Sequence, residues 1–198
     1  YNPGGKLTIT FPRSTGQIEL NFPYKKGSHG AQPRKGPNGG GVTRVLGSIY
    51  PFGYGLSYTT FAYDDLSVSV QDDTVEVRLT VTNTGARAGS ETVQVYVTDP
   101  EATVYRPEQE LRAFAKVTLE PGQSAPVALT LDRRAFAIWN VATGGWVVEG
   151  GTFGLRVGAS SRDIRAEATV ELKGDAITPP VTVESTVDAW LAHPVGGE

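Results

Sequence analysis

Few residues in this 198-residue chain are suited to catalysis or metal binding. His29 and His193 are its only histidines, too few and too far apart in sequence for a histidine metal cluster. Cysteine is absent, which excludes a disulfide framework and a cysteine metal site. Two acidic doublets, Asp64-Asp65 and Asp72-Asp73, are the local carboxylate pairs that acid–base work would draw on. Both fall in turn or strand-edge settings with no apolar pocket to raise a pKa, so they read as surface acids. Gly144-Gly145 and Gly150-Gly151 read as hairpin turns, and no helix opens after either pair to hold a phosphate. No cofactor site and no metal site is expected.

The densest set of polar donors lies in one long stretch. From Phe22 to Ser48 the chain is rich in glycine and proline, with Tyr24, Lys25, His29, Arg34 and Arg44 spaced along it. Structureless loops of this length are uncommon inside compact domains. It reads first as a solvated, flexible connection. The alternative is a rim over a polar ligand whose hydroxyls meet Arg, Lys and His donors and a Tyr face.

The elements that would position this loop differ on its two sides. Before it, Lys6 to Phe11 alternates with Leu7, Ile9 and Phe11 on one face, which predicts a strand stopped by Pro12. One strand cannot make a domain, so residues 1–22 read as the last edge of a sheet whose other strands lie upstream. After it comes Tyr50-Pro51-Phe52-Gly53-Tyr54-Gly55-Leu56-Ser57-Tyr58-Thr59-Thr60-Phe61. Proline and glycine fit neither a helix interior nor a regular strand, while the aromatic bodies gain by being covered. This segment predicts an ordered junction, with Phe52, Tyr54, Tyr58 and Phe61 in interdomain packing.

Beyond the junction the pattern repeats. Val75, Val77, Leu79 and Val81 alternate with polar residues, as do Val93, Val95 and Val97, then Val127, Leu129 and Leu131, then Phe153, Leu155 and Val157. Leu66, Val68 and Val70 predict one more strand face, and Phe114 a buried position in an extended segment over 111–119. Arg133 to Phe136 suits a single helical turn. Seven or so short strands with turn signals between them predict a mainly β fold, a sandwich of immunoglobulin or fibronectin type III kind held by packing alone. The predicted organisation is the end of an α/β domain over 1–49, a junction over 50–61, the sandwich over 62–172, and a tail over 173–198 with a short helix near Ser185 to Leu191.

Composition narrows the partners. A net charge of −3 and a pI near 5.5 give no electrostatic reason to expect nucleic acid or an anionic membrane. No apolar run reaches the roughly 20 residues of a spanning helix. The chain lacks methionine and opens on Tyr1, which suggests a piece of something longer. Absence of cysteine is compatible with a secreted or periplasmic life, and the compartment stays open.

Read together, several motifs resemble one family. Gly5-Lys6-Leu7, Thr10-Phe11-Pro12-Arg13-Ser14, Gly16-Gln17-Ile18 and the Tyr50–Phe61 stretch look like the C-terminal region of family 3 glycoside hydrolases of β-glucosidase/β-xylosidase type. Val81-Thr82-Asn83-Thr84-Gly85, Val93-Gln94-Val95-Tyr96-Val97, Arg106-Pro107, Glu110-Leu111 and Leu119-Glu120-Pro121-Gly122 are similar to that family's fibronectin type III-like domain. The resemblance implies a retaining glycosidase with a barrel, an α/β domain and this sandwich. Its nucleophilic aspartate and acid/base glutamate would lie upstream of Tyr1, so no catalytic residue is carried over and the chain alone is expected to be inactive. The implied partners are the barrel and α/β domains of the same enzyme and a β-glucoside or oligosaccharide substrate; a homodimer stays open. Trp139 and Trp146 read first as core or interdomain packing, with a sugar-stacking platform as the alternative. An independent carbohydrate- or surface-binding module and a purely structural interaction domain are the other functional readings.

Overall fold

A computed structural model describes residues 1–13, 15, 21–24, 47–176 and 182–188. Two short strands come first, β1 (Phe11–Pro12) and β2 (Ser48–Tyr50), paired antiparallel. The long strands follow: β3 (Phe61–Gln71), β4 (Thr74–Asn83), β5 (Gly89–Thr98), β6 (Glu110–Leu119) and β7 (Ser124–Asp132). A 3-10 turn over Arg133–Ala135 leads to a hairpin of β8 (Ile138–Asn140) and β9 (Gly145–Val147). Strands β10 (Gly151–Ser160) and β11 (Asp163–Leu172) complete the fold. One sheet has the order β3-β4-β7 and the other β11-β10-β5-β6, all neighbours antiparallel.

The two sheets face each other through the residues that alternation predicts. Val75, Val77, Leu79 and Val81 are buried beside Val127, Leu129 and Leu131, opposite Val93, Val95, Val97, Phe153, Leu155 and Val157. This is the expected β-sandwich. Phe136, buried after the 3-10 turn, meets Phe153 edge-on at 5.2 Å. Asp132 caps that turn by accepting from the Ala135 N–H at 3.1 Å. At one end of the sandwich Asn83 is fully buried and fully engaged: its Oδ1 accepts from Thr59 and Gly85, and its Nδ2 donates to the carbonyls of Arg87 and Leu119. A buried amide with every group paired fixes a turn in a way that an apolar side chain would not.

Four expectations are corrected. Phe114 is 67% exposed, because Ala113, Ala115, Val117 and Leu119 hold the inward register of β6 and period two sends Phe114 outward. Val70 is likewise exposed: it keeps the parity of Leu66 and Val68, which reach the core, but lies at the end of β3, an edge strand, beside the turn into β4. The regular strand over Lys6 to Phe11 shrinks to Phe11–Pro12, because the Leu7 backbone exchanges hydrogen bonds with Gly53 and Tyr54 instead of with a strand ladder. Gly150-Gly151 is not a hairpin turn; Gly151 opens β10, and a Cβ on Gly150 would meet the Gly174 nitrogen at 2.8 Å. The acidic doublets are exposed as expected. In the tail, Val187 and Asp188 are helical, and the rest of the expected helix lies outside the described residues.

The segment after β11 is tied back by Asp175. Its carboxylate accepts from the Val148 N–H at 2.7 Å and from Arg133 at 2.6 Å, while its own N–H donates to the Val148 carbonyl. The Val148 hydrogen bond, with Arg133 adding to it, holds the Asp175 pKa below the ordinary carboxylate range against the opposing effect of burial. A depressed folded-state pKa contributes stability above the unfolded pKa near 3.9, and that contribution fades as pH falls through the folded value. Asp175→Asn is therefore expected to lose about 0.5–1.5 kcal/mol at pH 7, the lower end reflecting solvent screening. In paired thermal melts the gap to the parent chain closes between about pH 5 and pH 2; a gap that stays constant with pH would overturn the assignment.

Candidate functional site

In an ordinary sandwich the outer face of β5 would be wet, since Val93, Val95 and Val97 already face the core. Here Gln94 and Tyr96, which alternate with them, are 3% and 0% exposed. A second layer built from residues 1–13, 21–24 and 47–60 covers them. The Gln94 amide donates to the carbonyls of Gly53 at 3.1 Å and Ala159 at 2.7 Å. The Tyr96 hydroxyl donates to Gln94 Oε1 at 2.5 Å. Burial pushes the Tyr96 phenol well above its usual range, so it stays a donor at neutral pH.

The junction residues wrap this hub. Phe52 stacks on Phe22 at 4.4 Å, and Phe22 meets Tyr96 edge-on at 5.7 Å. The Phe52 carbonyl accepts from the Ser161 N–H. Gly53 adopts φ +79°, and a Cβ there would lie 2.0 Å from Gln94 Oε1. Only glycine combines that backbone with that approach. Gly55 is confined by the Gly5 carbonyl, 2.4 Å from a would-be Cβ. Tyr54 stacks on Tyr50 at 5.1 Å. Tyr58 is 70% exposed with Arg87 beside its ring, and Phe61 lies in the sandwich core at the start of β3. Tyr24 packs on Phe22 and its carbonyl accepts from the Glu108 N–H. Lys25, His29, Arg34 and Arg44 lie outside the described residues.

Charges close the other end of this layer. Lys6 pairs with Glu91 at 2.7 Å and donates to the Ala159 carbonyl. Arg165 hydrogen-bonds Asp163, which holds that carboxyl below the ordinary range in spite of partial burial. Together they edge a cavity of about 330 Å³. A carboxylate bonded to a guanidinium is a poor proton donor at neutral pH, so Asp163 is unsuited to general acid catalysis. Among the described residues no three His, Cys, Asp or Glu side chains group as metal ligands. The arrangement holds two layers in register. Sequence reasoning missed Gln94, Tyr96 and Phe22 as its centre; the available signal was an amide and a phenol alternating on the wrong face of a valine strand.

Comparison with known proteins fits this geometry. The fibronectin type III-like domain family matches residues 91–161. A GH3 β-glucosidase structure from Bifidobacterium adolescentis superposes with a TM-score of 0.74 at 40% identity, covering 99% of this chain and 30% of that one. The chain is similar to the C-terminal region of family 3 glycoside hydrolases. Thermostable beta-glucosidase B of Acetivibrio thermocellus is 40% identical over 94% of the chain and 26% of its own length. An exo-alpha-(1->6)-L-arabinopyranosidase of Bifidobacterium longum is 47% identical over 75% of the chain and 20% of its own. The chain thus spans less than a third of these relatives, and in the glycoside hydrolase structure its match includes the layer over β5 as well as the sandwich.

The hub makes a specific demand on Gly53. Gly53→Ala is expected to cost about 1–3 kcal/mol from the backbone alone, with the displaced Gln94 adding to it. Gly122→Ala, at φ +74° with nothing within 4 Å, is the control that carries the backbone cost without the clash. Limited proteolysis should cut residues 1–60 faster in Gly53→Ala than in Gly122→Ala; equal rates would show that Gln94 does not hold the layer.

Proposed function

We propose that this chain works as the C-terminal part of a retaining β-glycosidase, most readily a β-glucosidase acting on terminal β-D-glycosyl residues. In this reading residues 1–49 complete an α/β domain, 50–61 form the junction, and 62–172 brace the enzyme. The observation that carries it is an apolar face on the small β1–β2 sheet. Phe11, Tyr50 and Leu56 are 40–68% exposed and line a groove of about 500 Å³. A face of this kind on a two-stranded sheet calls for a covering partner, and the upstream part of the same enzyme supplies one. Tyr58, exposed on the same layer, is proposed to pack there too.

The retaining mechanism needs two carboxyl groups about 5–5.5 Å apart, one with a raised pKa. The exposed doublets Asp64-Asp65 and Asp72-Asp73 and the paired Glu91 and Asp163 do not meet that need. The nucleophile and acid/base are assigned to the upstream domains. The 198-residue chain is therefore expected to release no detectable aryl alcohol from aryl β-glycosides, while the intact parent turns them over; hydrolysis by the chain alone would sink the reading.

Tyr24, Lys25, His29, Arg34 and Arg44 are proposed to form a rim over the substrate. Shortening the 25–44 stretch in the intact parent should raise KM or alter sugar preference more than it lowers Tm. A loss of Tm with unchanged kinetics would leave the stretch as a connection only.

A further inference from the structure

The β8–β9 hairpin carries chemistry that the brace does not use. Trp139 and Trp146 are paired residues across the hairpin, with ring centroids 5.5 Å apart and planes at 69°. Of the expected core or interdomain packing, the core is excluded: they are 52% and 47% exposed. The Arg134 guanidinium lies 3.2 Å from the Trp146 ring centroid, which buttresses that indole. Trp139 is left as the outward platform. Beside the pair runs a groove of about 320 Å³ that Tyr105, Glu110 and Arg112 also line.

These side chains suit one class of ligand. Arg112 donates to Glu110 at 3.0 Å, which places planar donors and acceptors next to an exposed indole. A pyranose with equatorial hydroxyls offers an apolar C–H face for an indole and a ring of hydroxyls that both donate and accept. The groove volume is at the lower end of the range for small-molecule sites, which fits one or two sugar rings.

We propose that this groove is a saccharide-binding site that stacks a β-linked glucopyranose on Trp139 and hydrogen-bonds its hydroxyls through Arg112 and Glu110. The site stands on the hairpin's own chemistry and does not require the glycosidase reading. Loss of one leaves the other intact.

The test is a calorimetric titration of the 198-residue chain with cellotetraose, followed in parallel by tryptophan fluorescence. Saturable binding is expected with a dissociation constant of about 0.1–1 mM. Trp139→Ala is expected to weaken it at least about tenfold, Trp139→Phe to restore part of the loss, and Arg112→Gln to weaken it several-fold, all with a parental Tm. Absence of saturation at about 10 mM, or equal binding by Trp139→Ala, overturns the site. A mass that rises with protein concentration and falls in Trp139→Ala, with no heat from the sugar, assigns the groove to a second copy of the chain and also overturns it. Should Arg112→Gln fail to fold, the Trp139 pair of variants decides the matter alone.

Discussion

The side-chain amide of Gln94 is the interaction on which the organisation of this chain depends. A strand in the middle of a sheet has two faces, and the valines of β5 occupy one of them with the sandwich core. On the other face a single amide gathers a carbonyl from the junction, a carbonyl from β10 and the hydroxyl of Tyr96. Each of those groups is out of reach of water, so each needs the others. The layer over β5 is thereby seated by hydrogen-bond geometry as well as by stacking of Phe52, Phe22 and Tyr96. Gly53 permits it, since any side chain at that point would occupy the space of the amide oxygen.

The consequence is a rigid relation between the small β1–β2 sheet and the sandwich. Lys6 and Glu91, and the backbone exchange of Leu7 with Gly53 and Tyr54, repeat the attachment at a second place. A brace needs such separated points, because one contact leaves a hinge. The apolar face that this layer turns outward is then held in a fixed direction. Several partly buried carboxylates are matched to cations, Glu91 to Lys6 and both Asp99 and Glu110 to Arg106, while the doublets Asp64-Asp65 and Asp72-Asp73 are exposed.

Much of the sandwich was legible from alternation. Val75 to Val81, Val93 to Val97, Val127 to Leu131 and Phe153 to Val157 each place a hydrophobic residue at every second position, and all four runs are buried. The helical turn near Arg133 and the hairpin turn at Gly144-Gly145 were legible from local chemistry. Legibility ended where a residue's surroundings come from distant parts of the chain. Phe114 is as hydrophobic as Phe153, yet its parity on β6 puts it outside. Trp139 and Trp146 flank a turn that local chemistry places, but their half-exposed setting beside residues 104–112 comes from distant parts of the chain.

Strand content, turn positions and the absence of cysteine chemistry follow from residue types within a few positions of one another, and those the sequence by itself determined. The family motifs, read in register, add the expectation that the junction joins two bodies. Only the tertiary structure decided that β5 is covered on both faces, that Gln94 and Tyr96 are the centre of the attachment, and that the two tryptophans lie outside the sandwich core. Burial of a side chain depends on what arrives from residues 41 or 65 positions away, as the Gly53 and Ala159 carbonyls do at Gln94. Local periodicity carries no record of that arrival.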